Sequence, residues 1–147
     1  HTNASSHVEY KSGVGVFRVP IIFYMPGGNI AGHKEMTAQQ IDIMPSVLGY
    51  LNYPNDYIAF GKDLFNDSVV NWAINYNNGI YQYFEDDYML RFDGKKPNAL
   101  YNFAQDTLLK KNILDVASEQ DHMLDKTKAI IQQYIERMID NNLTIKE

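Results

Sequence analysis

The sequence contains no cysteine, and its positive charge is neither abundant nor concentrated. Without thiols, the chain can form neither a disulfide framework nor a thiolate metal site. The 18 acidic residues outnumber the 13 basic ones, which gives a net charge of −5. A nucleic-acid binder needs a basic face that displaces counterions from phosphates, so the charge argues against this class of protein.

Long hydrophobic runs are also absent. The longest one, Val19–Met25, falls far short of the roughly 20 residues that a membrane-spanning helix needs. Hydrophobic residues still make up 45% of the 147 residues, which suffices for the core of one domain. Aromatic and polar residues alternate between Tyr76 and Phe103. This alternation is typical of strands with one half-buried face, although tyrosine also contacts sugars in binding sites.

The first half of the chain predicts part of an α/β unit. His1–Gly15 is polar and predicts a surface loop. Val16–Met25 is apolar on both faces and rich in β-branched residues, which predicts an interior strand of a parallel sheet covered by helices. Further along, Asp42 is expected to cap a helix that carries Pro45 in its first turn.

The second half predicts a different architecture, with four short strands followed by a helix. Turn signals at Asn77–Gly79, Glu85–Asp87 and Asp93–Lys95 separate the apolar segments. The segments between them predict an antiparallel meander over 73–75, 79–84, 88–93 and 98–103. Ser118 and Asp121 resemble a capping box at the start of a terminal amphipathic helix. The fold class is thus α/β for a larger whole and α+β within this chain.

Three sequence motifs occur in a fixed order over about 50 residues of the first half. The first comprises Arg18, Pro20, Tyr24 and Pro26; the second Gln40, Asp42, Met44, Pro45, Ser46 and Leu48; the third Phe60–Phe65. Together they resemble the C-terminal part of enzymes in the sulfatase and phosphoglycerol-transferase branch of the alkaline-phosphatase superfamily, including proteins similar to lipoteichoic acid synthase. Ser46 departs from the usual threonine of the second motif.

The resemblance implies a place for this chain within a larger catalytic domain. Residues 1–147 would form the C-terminal portion of a sulfatase-like domain, an alkaline-phosphatase-like α/β/α sandwich. Residues 1–66 would supply a sheet strand, a loop and a helix. Residues 67–147 would supply the small antiparallel meander and the C-terminal helix.

The resemblance also implies a metal site at the start of the chain. His1 takes the place of the histidine in an Asp-His pair that holds a divalent metal: manganese, zinc, magnesium or calcium. His7 falls where some relatives carry a loop histidine that contacts the substrate. The family's nucleophile lies upstream, so this chain has no catalytic residue and is expected to be inactive alone. The residues by themselves favour another interpretation, in which His1, His7 and Glu9 belong to a solvated polar loop.

The parent enzyme implied by the resemblance cleaves or transfers a phosphate or sulfate ester through a hydroxyl nucleophile. The motifs are closer to phosphoglycerol or phosphoethanolamine transferases, whose substrates include lipid-linked esters. Such an enzyme is anchored by an N-terminal region, with its catalytic domain on the extracytoplasmic face of the bacterial membrane. Two alternatives stay open: a sulfatase, or a non-catalytic module that binds carbohydrate or protein through the tyrosine-rich meander.

The remaining polar residues favour structural interpretations. Lys62 and Asp63 predict a turn with surface charges, beside a Gly61 whose backbone geometry a side chain would obstruct. Glu85–Asp87 predicts the acidic tip of a hairpin in preference to a calcium site. His122, in the first turn of the terminal helix, is assigned no role.

Overall fold

A computed structural model describes residues 6–28 and 30–145. It contains short 3-10 helices at Val8–Lys11, Gly15–Phe17 and Gln40–Asp42, followed by helix α1 (Ile43–Tyr50). Strands β1 (Trp72–Asn77), β2 (Ile80–Glu85), β3 (Tyr88–Phe92) and β4 (Pro97–Asn102) and helix α2 (Glu119–Ile139) complete the order. The chain is therefore an α+β protein, as predicted.

The four strands form one antiparallel sheet in the order β1-β2-β3-β4, which confirms the predicted meander. Its first turn shows why the sequence specifies the hairpin. Asn78 and Gly79 have φ values of 50° and 81°, and they join the paired residues Asn77 and Ile80. A two-residue hairpin turn with positive φ at both positions favours Asn-Gly, because its twist matches that of the flanking strands.

The main apolar cluster lies on one face of this sheet, under α2, while Phe84, Met89 and Ala99 are buried on the other face. Tyr83, Leu90 and Leu100 are cross-strand neighbours on β2, β3 and β4. All three are buried, and Met123 of α2 packs against them. Directly opposed side chains of this size are the unit that stabilises an antiparallel sheet. The helix and the sheet thus form a single apolar unit.

Side chains from the first half of the chain occupy the outer edge of β1. The ammonium Nζ of Lys62 donates to the carbonyl oxygen of Trp72 at 2.8 Å. The backbone N–H of Ile74 donates to Oε1 of Gln39 at 3.1 Å. These groups would otherwise be open to pairing with another strand, so the two bonds close this edge and also join the two halves of the chain.

The opposite edge, on β4, is covered by the loop that precedes α2. The backbone N–H of Leu100 donates to Oδ1 of Asn112 at 3.0 Å. The carbonyl oxygen of Leu100 accepts from the N–H of Ile113 at 2.8 Å. Both outward groups of Leu100 are therefore satisfied, and this loop replaces a fifth strand.

The strand predicted at Val16–Met25 is wrong within the structure described here. Gly15–Phe17 is a 3-10 turn, and the residues after it run as extended chain without a ladder partner. Ile22 and Tyr24 are 82% and 84% exposed. A strand needs a neighbouring strand, and both edges of the only sheet in residues 6–28 and 30–145 are occupied. The expected α/β/α sandwich therefore remains a prediction.

Both helices form close to the positions predicted, but their starts differ in detail. Asp42 and Ser118 occupy the N-cap positions of α1 and α2, and neither side chain caps its helix with a hydrogen bond. The capping box predicted from Ser118 and Asp121 is thus not made. Throughout residues 6–28 and 30–145, no helix is both long and apolar enough to cross a bilayer.

Candidate functional site

The two histidines of the opening segment have different outcomes. His1 lies outside the described residues, so its role as a metal ligand stays a prediction. His7 directly precedes the Val8–Lys11 turn and is exposed, with its ring edge-on to Tyr10 at 6.3 Å between centroids. Nowhere in the described part of the chain do three His, Cys, Asp or Glu side chains come close enough to hold a metal.

The structure brings together the second and third of the three sequence motifs, which lie about 20 residues apart in sequence. Asp42 is fully buried. Its Oδ1 accepts from the backbone N–H of Lys62 at 2.9 Å, and its Oδ2 accepts from the ammonium of Lys62 at 2.9 Å. Oδ2 also accepts from the N–H of Gln39 at 2.9 Å. Asp42 therefore does not cap α1 through a later N–H as predicted; its bond to Gln39 instead completes a capping box at the start of the preceding Gln40–Asp42 turn, and its other bonds reach across the fold.

Lys62 also departs from prediction, since it is only 7% exposed and is not a surface charge. Its Nζ bonds Asp42 and the carbonyl of Trp72, and it lies 5.4 Å from the centre of the Trp72 ring. Burying an unpaired ammonium costs several kcal/mol. The carboxylate of Asp42 and the carbonyl of Trp72 offset this cost for Lys62. Asp63 is partly buried and accepts from the N–H of Phe65 at 2.9 Å.

A buried hydroxyl makes a second link between the same two motifs. Ser46 Oγ donates to the carbonyl of Asp42 at 2.6 Å and accepts from the N–H of Leu64 at 2.9 Å. Gly61 permits this close approach, because a Cβ there would lie 2.1 Å from the carbonyl oxygen of Ile41. The prediction that a side chain at Gly61 would be obstructed is confirmed. The two motifs thus fold into one buried unit, called here the Asp42–Lys62 junction.

A second polar cluster lies where α2 begins, and sequence reasoning missed it. Glu85 at the end of β2 is buried; its Oε2 accepts from the hydroxyl of Tyr83 at 2.5 Å. Its Oε1 is 3.1 Å from Nε2 of His122, whose ring is largely exposed. Burial and the Glu85 carboxylate raise the pKa of Tyr83 well above its ordinary value. His122, assigned no role from sequence, thus holds the start of α2 to the sheet.

Glu85 also corrects the prediction of an acidic hairpin tip. Asp86 and Asp87 form the turn between β2 and β3, as expected, and Asp86 has a φ of 49°. Glu85 instead pairs with Tyr88 inside the sheet and points to the helix-covered face. The alternation of side chains along β2 places Glu85 on the same face as Tyr83, which was the available signal for this contact.

The aromatic residues of the meander form a row across three strands, but few of its rings are open. Tyr76, Tyr81 and Phe92 are cross-strand neighbours with ring centroids 4.7 Å and 6.4 Å apart. Tyr76 is 62% exposed, Tyr81 is half-buried and Phe92 is buried. A carbohydrate platform needs several ring faces in contact with solvent, and this row offers one.

No protein-family model matches the chain, and no curated protein matches it. The family resemblance therefore rests on the three sequence motifs alone. Within the Asp42–Lys62 junction, each charge is satisfied by the other and by backbone groups. These paired, buried groups hold the α1 segment to the loop that carries FGKDLF.

Proposed function

We propose that the chain is the C-terminal part of a metal-dependent enzyme of the sulfatase family that cleaves or transfers a phosphate or sulfate ester. A phosphoglycerol- or phosphoethanolamine-type transferase is the form that the motifs favour. The observation that carries the proposal is the Asp42–Lys62 junction. The second and third motifs are separate in the sequence but contact each other in one buried unit. We expect this of residues that a common fold constrains together.

The exposed apolar chain of the first half supports the same proposal. Val19, Ile22 and Tyr24 leave a large part of their surfaces in water, and α1 exposes Met44 and Val47. Exposed apolar surface on this scale marks a contact with something else. In the proposed parent enzyme, the remaining strands and helices of the sandwich supply that contact.

The proposal assigns the metal to His1 together with acidic residues that lie upstream of this chain. The described residues alone do not form a metal site. When bound, a divalent cation supplies charge neutralisation for the ester oxygens and lowers the pKa of a hydroxyl nucleophile. In this proposal His7 contacts the substrate, and the other described residues have a structural part.

The decisive experiment uses the full parent enzyme with its upstream region and its membrane anchor. His1→Ala is compared with His33→Ala, which changes a histidine in an exposed loop. Release of glycerophosphate from a lipid-linked donor, hydrolysis of an aryl sulfate and bound metal are measured for each. We expect His1→Ala to lose both turnover and metal, and His33→Ala to keep both.

Two results would contradict the proposal. One is any residue other than Asp directly before His1 in the parent reading frame, since the metal pair would then be absent. The other is clear turnover of a phosphodiester by the purified 147 residues, which lack the family's nucleophile. Turnover of the aryl sulfate but not of the lipid-linked donor would instead select the sulfatase alternative within the same family.

A further inference from the structure

The sheet face that lies opposite the apolar core carries a row of polar side chains. Asn75 on β1 pairs directly with Gln82 on β2, and Gln82 pairs with Arg91 on β3. Successive side chains of a strand point to opposite faces of the sheet. Because Gln82 precedes Tyr83 and Arg91 follows Leu90, the polar row lies on the face opposite Tyr83 and Leu90. Directly opposed side chains have Cβ atoms about 5 Å apart. Asn75 and Arg91 are therefore each about 5 Å from Gln82 at the Cβ atoms and about 10 Å from each other, so Gln82 is the group that both ends adjoin.

Each member of this polar row has a buried atom without a hydrogen-bond partner. The atoms are Oδ1 of Asn75, Oε1 of Gln82 and Nε of Arg91. Most buried polar atoms in native proteins are paired, so each unpaired atom calls for an explanation. Within residues 6–28 and 30–145 only one other side-chain atom shares this condition, Nε2 of Gln39, whose Oε1 accepts from the N–H of Ile74 at the edge of β1. Three unpaired atoms in one cross-strand row point to one shared missing partner.

Arg91 fixes the chemistry of that partner. A guanidinium always carries a positive charge and only donates hydrogen bonds. None of the ion pairs between described residues includes Arg91. The unpaired Oδ1 of Asn75 and Oε1 of Gln82 are acceptors as placed, and a half-turn of each amide about its last bond puts an NH2 donor in the same position. A cation with two amides matches an oxyanion with several acceptor oxygens.

The surroundings of the polar row leave a route for a small ligand. Gln82 is buried in the middle, while Asn75 and Arg91 at the two ends are partly exposed. Over the middle lie Gly13 and Leu109: a Cβ on Gly13 would be 3.8 Å from Nε2 of Gln82 and 3.3 Å from Cδ1 of Leu109. The partly exposed Arg91 end is therefore the side from which a small ion has to enter, and the buried Nε must be uncovered as it binds.

We propose that Arg91, Gln82 and Asn75 bind a small tetrahedral oxyanion, phosphate or sulfate, either free or as the end group of a small ester. The ion accepts from the guanidinium edge of Arg91 and from the amide groups of the neighbouring strands. This site depends on the register of the sheet and not on the family motifs. Its failure and that of the proposed enzyme activity are therefore separate results.

The direct test follows the side-chain Nε–H signals of arginine in the ¹⁵N-labelled 147-residue chain. Inorganic phosphate is added at constant ionic strength, and sodium acetate is added in a parallel series. We expect the Arg91 signal to move and saturate with phosphate, while that of Arg137, which donates to the carbonyl of Asn142, stays in place. An unmoved Arg91 signal, or equal movement of both arginines, would overturn the site. Acetate binding as tight as phosphate would also overturn it, in favour of a carboxylate from another protein segment.

Variants test the same site through thermal stabilisation. Phosphate should raise the melting temperature of the wild-type chain and of the matched control Arg137→Met. Arg91→Met should lose that rise, and Arg91→Lys should weaken phosphate binding about tenfold, since lysine keeps the charge but not the planar pair of donors. An undiminished rise in Arg91→Met would overturn the site. If Arg91→Met fails to fold, the wild-type signal titration still decides the question.

A last comparison separates the two sources of the anion. Inorganic phosphate and glycerol 1-phosphate are titrated against the wild-type chain under the same conditions. Tighter binding of glycerol 1-phosphate supports an ester end group as the ligand, and tighter binding of inorganic phosphate supports the free ion. Failure of both to bind overturns the proposal.

Discussion

The two halves of the molecule bury different chemistry. Among the described residues of the first half, the buried ones are Asp42, Pro45, Ser46, Lys62 and Leu64, three of which are polar or charged. In the second half, Gln82, Glu85 and Thr127 are buried polar residues, but the buried apolar residues outnumber them and the cluster under α2 is apolar. Apolar burial is non-directional and tolerates change, whereas a buried polar network fails when one partner is removed. The first half is thus held by a few specific bonds, while the second has a core of its own.

Removal of Asp42 should produce the largest effect and separate the two halves. Asp42→Ala leaves the ammonium of Lys62 buried without its carboxylate, a change that typically costs about 3–5 kcal/mol. We expect amide hydrogen exchange to accelerate in α1 and in residues 60–64, while β2 and β3 keep their protection. Mass spectrometry of deuterium uptake measures both regions in one experiment.

The control for Asp42→Ala is a double variant that also carries Lys62→Met. This second change removes the buried charge of Lys62 that Asp42→Ala leaves unpaired. It should recover much of the lost protection, because an apolar side chain of similar length replaces the ammonium. Equal loss of protection in the sheet and in α1 would show that the two halves unfold as one unit, contrary to the comparison.

Truncation of the apolar core should destabilise the second half instead. Leu100→Ala removes a fully buried side chain that packs on Leu90, and such changes cost about 2–5 kcal/mol. Urea unfolding followed by circular dichroism measures the loss. Leu51→Ala is the control; that side chain is exposed after α1, so its change should stay within about 0.5 kcal/mol. Similar losses in both variants would mean that the core is not concentrated under α2.

Tyr83 gives the second half a dependence on alkaline pH. The pKa of Tyr83 is raised from 10.0, first by burial and then by the hydrogen bond to Glu85. A raised folded-state pKa contributes stability that is fully present below the unfolded pKa and is lost as pH rises beyond it. We expect the free energy of unfolding to fall above about pH 10 in the wild type.

Tyr83→Phe is the matched variant for that pH dependence. It removes a hydrogen bond to a buried carboxylate, which costs about 1.5–3 kcal/mol at neutral pH. It should also flatten the alkaline fall, and urea unfolding at a series of pH values measures both effects. The same slope in both proteins would refute the assignment of the alkaline fall to Tyr83.

The smallest effect is expected at the join between α2 and the sheet. His122 pairs with Glu85, but its ring is largely exposed, so water and salt screen the contact. His122→Ala should cost less than about 1 kcal/mol in urea unfolding, and the difference from wild type should shrink at high salt. A loss as large as that of Tyr83→Phe would mean that this contact, and not the core, fixes the helix.

The part of the fold that sequence predicts well is the part that local signals specify. The meander follows from alternating strands and from turns such as Asn78–Gly79, where two neighbouring residues determine the hairpin. The failure at Val16–Met25 has the opposite cause. Its composition suits a buried strand, but pairing depends on a distant partner that the composition of the segment does not reveal.

The candidate site was less predictable for the same reason. The burial of Lys62 depends on Asp42 and Trp72, which lie 20 residues before and 10 residues after it. Charge alone indicates an exposed side chain, and only the folded chain supplies the partners. The contact of His122 with Glu85 spans 37 positions and follows from the packing of α2 on β2. His1, the central residue of the metal prediction, lies outside the described residues and stays untested.

The two edge strands of the four-stranded sheet are occupied by other parts of the chain, and this limits how the sheet can join a larger protein. With Lys62 and Gln39 on one side and Asn112 and Ile113 on the other, its ladder has no vacant position beside Leu100, Trp72 or Ile74. A larger protein can pack against this sheet or bind the extended chain around Ile22, but it cannot add a strand to the sheet at those positions. The same blockage protects concentrated solutions from strand-by-strand polymerisation through this unit.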